Sequence, residues 1–336
     1  MPERFDELQN KYLFDIQEYL KIFIHSIYTN PYTELRDIFY YHLGLDDPLQ
    51  KQGKRIRPLL TLVSAAGAGV PENKALPAAA AIELIHNFSL IHDDIEDNGD
   101  VRRGKPAVWK KWGLAQGLNA GDAMFNAAFL ALGGLRTNFS AEIQTEALNL
   151  ISETCNLLTK GQYLDMRFEK EADVSMADYH QMILGKTSAL IACSVEMGAL
   201  LGKLDKDQRA LYRKFGEKLG IAFQIYDDWL GIWGEEEKTG KSAIGDLVEK
   251  KRSFPILKGI EISKDFKDQF LNRGIDIKSA IKLRNMLEKM GIDKKVKDEC
   301  AKWTREALIH LRNMECKENE RKFLEMITNN LLIRVK

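Results

Sequence analysis

Apolar residues recur every three or four positions through most of this chain, and the alternating Val/Ile/Thr runs of half-buried strands are nearly absent. FDELQNKYLFDIQEYLKIFIHSIY keeps the helical spacing and stops at TNP, which predicts a first helix. ALPAAAAIELIHNFSLIHDD places Pro77 near its start and follows it with strong helix formers. SAEIQTEALNLISETCNLLTKGQYLDMRFE, DYHQMILGKTSALIACSVEMGALLG and DQRALYRKFGEKLGIAFQIYDDWLG predict three more, the last ending at its glycine. The C-terminal stretch SAIKLRNMLEKMGIDKKVKDECAKWTREALIHLRN is also helical, with a charged face that reads as solvated. No Gly- or Ser-rich linker divides the chain and no repeat of solenoid length is present. The pattern predicts one all-α domain over residues 1–336, a bundle of many packed helices.

Composition narrows the function classes. A chain of 336 residues can bury a large core. Lys plus Arg equals Asp plus Glu at 49 each, so no global field draws in nucleic acid or acidic lipid, and any anion must be held locally. Cys155, Cys193, Cys300 and Cys316 are scattered without zinc spacing and read as free thiols. The N-terminal residues show no apolar signal core, and no uninterrupted apolar run approaches the ~18 residues of a membrane span. The expectation is a cytoplasmic protein with no membrane span and no nucleic-acid partner.

Candidate chemistry starts at LIHDDIEDNGDVRRG, where Asp93, Asp94, Glu96 and Asp97 crowd the end of an apolar helix. Asp93 and Asp97 are one turn apart on one side, and Asn98-Gly99 is a good terminator. Carboxylates at the negative end of a helix dipole are each disfavoured by a few tenths of a kcal/mol, a penalty that a bound divalent cation would offset. An EF-hand is excluded, because the loop position that needs a bidentate Glu is Lys105. A second apolar helix runs into Asp227 and Asp228. Two such ends suggest helices facing each other with carboxylates at the mouth of a cavity. Mg²⁺ suits this set, since it takes one or two carboxylates plus phosphate oxygens, whereas zinc would call for His or Cys.

Phosphate beside carboxylate needs further positive charge. Candidates are Lys54, Arg55 and Arg57 in QGKRIRP, Arg102 and Arg103, Lys186 with Thr187 in GKTSAL, and Lys241, Lys250 and Lys251. GEEEKTGKS is not a P-loop: its glycines are wrongly spaced and no strand precedes them.

In order along the chain, QGKRIRP, ELIHNFSLIHDDIEDNGDVRRG, NAGDAMF, GQYLD, GKTSAL, FQIYDDWLG, TGKSAIGDL and KKRSFP resemble the trans-isoprenyl diphosphate (polyprenyl) synthases. The resemblance implies an all-α bundle around a deep apolar cavity, usually dimeric, that condenses isopentenyl diphosphate with an allylic diphosphate using Mg²⁺, commonly three ions. By position it makes Asp93 and Asp97 first-motif metal ligands with Asp94 supporting, and Asp227 the main second-motif ligand with Asp228 behind it. It assigns Lys54, Arg57, His86 and Arg103 to isopentenyl diphosphate. Arg102, Lys186, Thr187, Gln224, Lys241 and Lys251 fall to the allylic diphosphate, and Gln162 and Asp165 to metal-site support. On its own His86 would read as a core histidine; the matched position turns it toward substrate.

Two departures stand out: the family's second motif usually reads DDxxD, but its fifth position here is Gly231, and the first glycine of GGKR is Gln52. An aromatic residue at Phe88 with a small neighbour, Ser89, goes in that family with a C20 product, so the resemblance favours geranylgeranyl diphosphate. C15 or longer products are the alternatives. A class I terpene cyclase would not need a second diphosphate site, and a non-catalytic regulatory subunit would not need an intact first motif.

Overall fold

The computed structural model describes residues 2–46, 54–234, 244–271 and 274–333. Among these residues the fold is all-α; the strands are only β1 (Val101–Arg102) and β2 (Lys105–Pro106), an antiparallel pair. The residues group into two compact units. One comprises 1–152, 193–210 and 315–324; the other comprises 153–192, 211–314 and 325–336.

The first unit is built around α4 (Glu72–Glu96). Ala75, Ala78, Ala79, Ala80 and Ala81 are fully buried, so α4 is enclosed on several sides rather than amphipathic. Packed on it are α1 (Pro2–Ile27), α3 (Ile56–Gly67) and α6 (Leu114–Leu132), and α2 (Thr33–Leu43) packs on α1 and α6. On α1, Tyr12, Ile16, Leu20 and Ile24 are buried at four-residue spacing, each worth about 2 kcal/mol when removed from water. The approach of α6 to α4 depends on two glycines. A Cβ at Gly121 would lie 2.1 Å from His92 Nε2, and one at Gly117 3.1 Å from Ile95 Cδ1 on α4 and 2.8 Å from Trp109 Cβ on α5 (Val108–Trp112).

The second unit holds the C-terminal half of α7 (Ala141–Phe168), α8 (Met176–Ile183), the start of α9 (Ala189–Leu201) and most of α10 (Lys206–Trp233). Further on come the short α11 (Gly245–Val248), α12 (Phe254–Ile262), and helices at Lys264–Leu271, Ile277–Lys289 and Ile292–Asn313. Its core is aromatic, with Tyr179, Tyr212, Phe215, Phe266 and Phe270 almost fully buried. α8 begins with a complete capping box between Ser175 and Asp178.

Two sequence expectations shift. α10 does not end at Gly231 but continues to Trp233, whose ring stacks on Trp229 and whose Nε1 donates to Glu288 at 3.1 Å. The C-terminal helix is two helices, separated at Gly291, where φ is +64°. The segment Met176–Leu201 is long and apolar enough to cross a membrane by length and composition, but 89% of its apolar window is buried within the protein, as in a core helix.

Candidate active site

α4 ends where its acids are. Asp97 caps the helix, its N–H bonded to the Asp93 carbonyl at 2.9 Å, and Asn98 takes the left-handed turn at φ +52°. Gly99 therefore is not the left-handed residue; its carbonyl accepts from Trp109 Nε1 at 2.9 Å, tying the loop to α5. Asp97 is exposed and Asp93 half-buried, whereas Asp94 is 4% exposed. Both Asp94 oxygens accept from Arg102 Nε at 2.8 Å, and Arg102 Nη2 lies 2.7 Å from Oδ1. Burial pushes the Asp94 carboxyl up and the arginine pulls it back. Asp94, expected to support the metal, thus anchors an arginine expected on the allylic diphosphate.

Behind this end lies a basic cluster in the same unit. Arg103 and Gly104, at φ +52° and +78°, make the two-residue β1–β2 turn. From there Arg103 Nη1 donates to the His42 carbonyl at 3.0 Å and Nη2 to Asn87 Oδ1 at 3.3 Å. Arg57, in the first turn of α3, places Nη1 3.1 Å from His86 Nε2, two turns before Asp93 on α4. Burial, then Arg57 and Arg103, hold His86 neutral, well below the ordinary imidazole value, so it can accept that bond. Lys54 is exposed at the edge of the described segment. Arg55 is only 5% exposed and donates to the Leu43 carbonyl at 3.0 Å. Near it, burial pushes the Glu83 carboxyl up, against Arg55 and Arg103. Glu83 and Asn87 escaped the sequence reading; their one signal was polarity at i, i+4 in an otherwise alanine-lined helix.

Phe88 turns toward α6. Its ring meets Phe125 edge-on at 4.9 Å, and Phe125 meets Phe129 at 5.1 Å. Ser89 is half-buried, with Oγ donating to the His86 carbonyl at 2.8 Å.

In the second unit α8 passes through a π-helical turn, Leu184–Ser188, which carries Lys186 and Thr187. Such turns concentrate at functional sites. Two glycines press it onto α7: a Cβ on Gly161 would lie 2.0 Å from the Lys186 nitrogen, and one on Gly185 2.6 Å from the Leu157 carbonyl. GQYLD and GKTSAL are therefore two sides of one contact. Lys186 Nζ bonds Asp165 Oδ2 at 2.5 Å, and Gln162 is half-buried one turn earlier on α7. Thr187 Oγ1 donates to Gln224 Oε1 at 2.5 Å, and Gln224 Nε2 to Asp228 Oδ1 at 2.8 Å. Asp228 Oδ2 accepts from the Tyr179 hydroxyl at 2.7 Å and from the Phe254 N–H at 2.8 Å. Asp228 is 5% exposed and its carboxyl is raised to about 6, chiefly by burial. Asp227 beside it is exposed. The pair thus divides: Asp228, expected among the metal-binding acids, holds structure together, and Asp227 faces outward. Lys251 pairs with Glu249 at 3.0 Å, and Lys241 lies outside the described residues, as does Gln52.

No group of three His, Cys, Asp or Glu among the described residues could hold a metal by itself. Asp93 and Asp97, one turn apart at a helix end with the negative dipole pole, still fit a hard cation that takes one or two carboxylates and completes its shell from diphosphate oxygens and water. Asp227 offers the same kind of donor.

The model of the polyprenyl synthetase family matches residues 41–290. The chain belongs to that family. A (2E,6E)-farnesyl diphosphate synthase from Mycobacterium bovis is 41% identical over 227 residues, 66% of this chain and 62% of that protein, so the match spans under two thirds of that relative's length. A solved geranylgeranyl pyrophosphate synthetase from Pyrococcus horikoshii superposes with a TM-score of 0.87 at 31% identity, covering 98% of each chain. A polyprenyl synthase from Caulobacter crescentus, solved with calcium and isoprenyl diphosphate, superposes at 0.86 with 27% identity over 100% of this chain and 98% of that one. The matched family region contains both acidic motifs, the π-turn and the Arg57–His86 pair. In each of the chain's two DD pairs one member, Asp94 or Asp228, is engaged by protein groups.

Proposed function

We propose that this polyprenyl synthetase is a Mg²⁺-dependent prenyltransferase that joins isopentenyl diphosphate to an allylic diphosphate, with geranylgeranyl diphosphate as product. The observation that carries the reading is the Arg57–His86 pair with Arg103 beside Asn87, placed two to three turns of α4 before the carboxylates Asp93 and Asp97. Cationic groups beside a carboxylate pair would provide for two diphosphates, one held by protein cations and one through a metal. A terpene cyclase has no use for the former.

In this reading Asp93, Asp97 and Asp227 hold the cation, with Gln162 and Asp165 in support, and three ions are the number expected from the resemblance. Bound Mg²⁺ would stabilise the negative charge that develops on the departing diphosphate. Lys186, Thr187, Gln224, Lys241, Lys251 and Arg102 orient the allylic diphosphate. Asp94 sets the direction of the Arg102 fork, and Asp228 sets that of Gln224. Lys54, Arg57, His86 and Arg103 hold isopentenyl diphosphate; neutral His86 serves as a hydrogen-bonding group rather than a charge. The allylic C–O electron pair leaves with the diphosphate, and the isopentenyl double bond supplies the pair for the new C–C bond. The adjacent C–H proton passes to the released diphosphate. Apolar side chains such as Phe88 and Phe125 keep water from the cation meanwhile.

A C15 product is the second reading, favoured by the 41% identity to the farnesyl diphosphate synthase. A homodimer fits the exposed Leu114, Leu118 and Leu130 of α6, and we place the protein in the cytoplasm. Incubation with Mg²⁺, isopentenyl diphosphate and geranyl or farnesyl diphosphate tests the activity. If no longer prenyl diphosphate forms from any primer, the reading is wrong.

A further inference from the structure

The second acidic motif lacks a carboxylate at Gly231, yet a carboxylate occupies the space beside it. A Cβ built on Gly231 would stand 2.5 Å from Asp246 Cγ, 2.5 Å from its Oδ2 and 2.6 Å from its Oδ1. The whole Asp246 carboxylate therefore lies against the bare Cα of Gly231. Gly231 is inside α10, one turn beyond Asp227 and on the same face. A side chain at 231 would leave the helix through the volume that Asp246 fills. Glycine is not there for backbone reasons, because Gly231 is not among the positive-φ residues, and a helix-interior glycine costs about 1 kcal/mol against alanine. It is there for room.

Asp246 reaches this place from α11, which is anchored by fully buried Leu247 and closed by the Lys251 N–H on the Asp246 carbonyl at 3.0 Å. Its neighbourhood is acidic as well as close: the buried Tyr179 hydroxyl is influenced by Asp228, Asp246 and Asp165 together. Of these acids Asp165 is paired with Lys186, and Asp228 is held by Tyr179, Gln224 and the Phe254 N–H.

We propose that Asp246 supplies the carboxylate that the second motif lacks at position 231, and that Gly231 is glycine so that Asp246 can approach. The inference rests on the prenyltransferase reading above. It makes the DDxxG motif a complete one, with its third acid delivered from α11 instead of from α10.

The test is a swap in the full chain, read by isothermal titration of Mn²⁺ in the presence of methylenediphosphonate, with thermal melts alongside. Asp246→Asn is expected to weaken Mn²⁺ binding by about tenfold or more. Gly231→Asp alone drives its side chain into Asp246 and lowers the melting temperature. Gly231→Asp combined with Asp246→Ala exchanges the two positions and is expected to restore binding to within about threefold of wild type, starting from the weak binding of Asp246→Ala. A contact that merely fills space would not be rescued this way. Unchanged Mn²⁺ binding in Asp246→Asn, or a double variant no better than Asp246→Ala, overturns the proposal. Failure of the prenyltransferase reading looks different: wild type would then elongate no primer, whatever the variants do to cation binding.

Discussion

Arg102 grips both carboxylate oxygens of Asp94, with Nε 2.8 Å from each. Asp94 is buried and Arg102 mostly so, which makes the pair a fixed support for the loop that carries the next arginine. Asp94→Ala and Arg102→Ala are each expected to cost about 2 kcal/mol in denaturant melts, the range for hydrogen bonds to a charged group, and to lower turnover. The double variant should cost less than their sum, because neither leaves a partner behind. Additive losses would show that the pair does not act as a unit.

A steric prediction comes from the glycines of the π-turn. Gly161→Ala places a methyl 2.0 Å from the Lys186 nitrogen, where only backbone could yield. It should separate α7 from the turn, lower stability by about 1–3 kcal/mol and raise KM for the allylic substrate as Lys186 leaves Asp165. A variant with wild-type melting and kinetics would show that the contact is slack.

Acid stability gives a third. Unfolded imidazoles titrate near 6.5. In the folded chain His42 and His86 are held neutral well below that, chiefly by burial and next by Arg103 and Arg57 respectively. As pH falls through 6.5 the unfolded chain takes up protons the folded chain refuses, so stability drops, by up to about 1.4 kcal/mol per pH unit for each histidine. Asp228 opposes this: raised to about 6, it takes up a proton in the folded state before the unfolded state does, which adds stability on acidification. The raised Glu83 and Asp94 carboxyls act with Asp228, and the lowered His180 and His310 act with the two buried histidines, so the slope between pH 7 and 5 in metal-free protein is the difference between the two sets. His86→Gln should shift that slope toward greater stability in acid and Asp228→Asn away from it, as read by urea melts at each pH.

Product length provides a fourth. Ser89→Phe adds an aromatic beside Phe88 and is expected to shorten the product, while Phe88→Ala opens the space before Phe125 and should lengthen it. Unchanged product chromatograms from both variants would sink the C20 assignment.

Much of this was legible in local pattern. Three- and four-residue spacing of apolar positions announced α1, α7 and α10, because a helix repeats every ~3.6 residues wherever it sits, and Pro77 followed by strong helix formers announced α4. The end of α4 at Asp97–Asn98 and the placing of Asp93 and Asp97 on one side follow from the same geometry and from capping, both confined to a few neighbouring residues. The ordered motifs pointed to the polyprenyl synthetase family before any contact was known. Local pattern could not separate the members of each DD pair, since Asp94 turns inward to meet Arg102 from the hairpin that follows α4, and Asp228 meets Tyr179 and Phe254 from two other helices. Nor could it explain why α10 runs on past Gly231, or what stands beside that glycine. Those answers depend on groups far apart in the chain meeting at van der Waals distance, and only packing sets which of them meet.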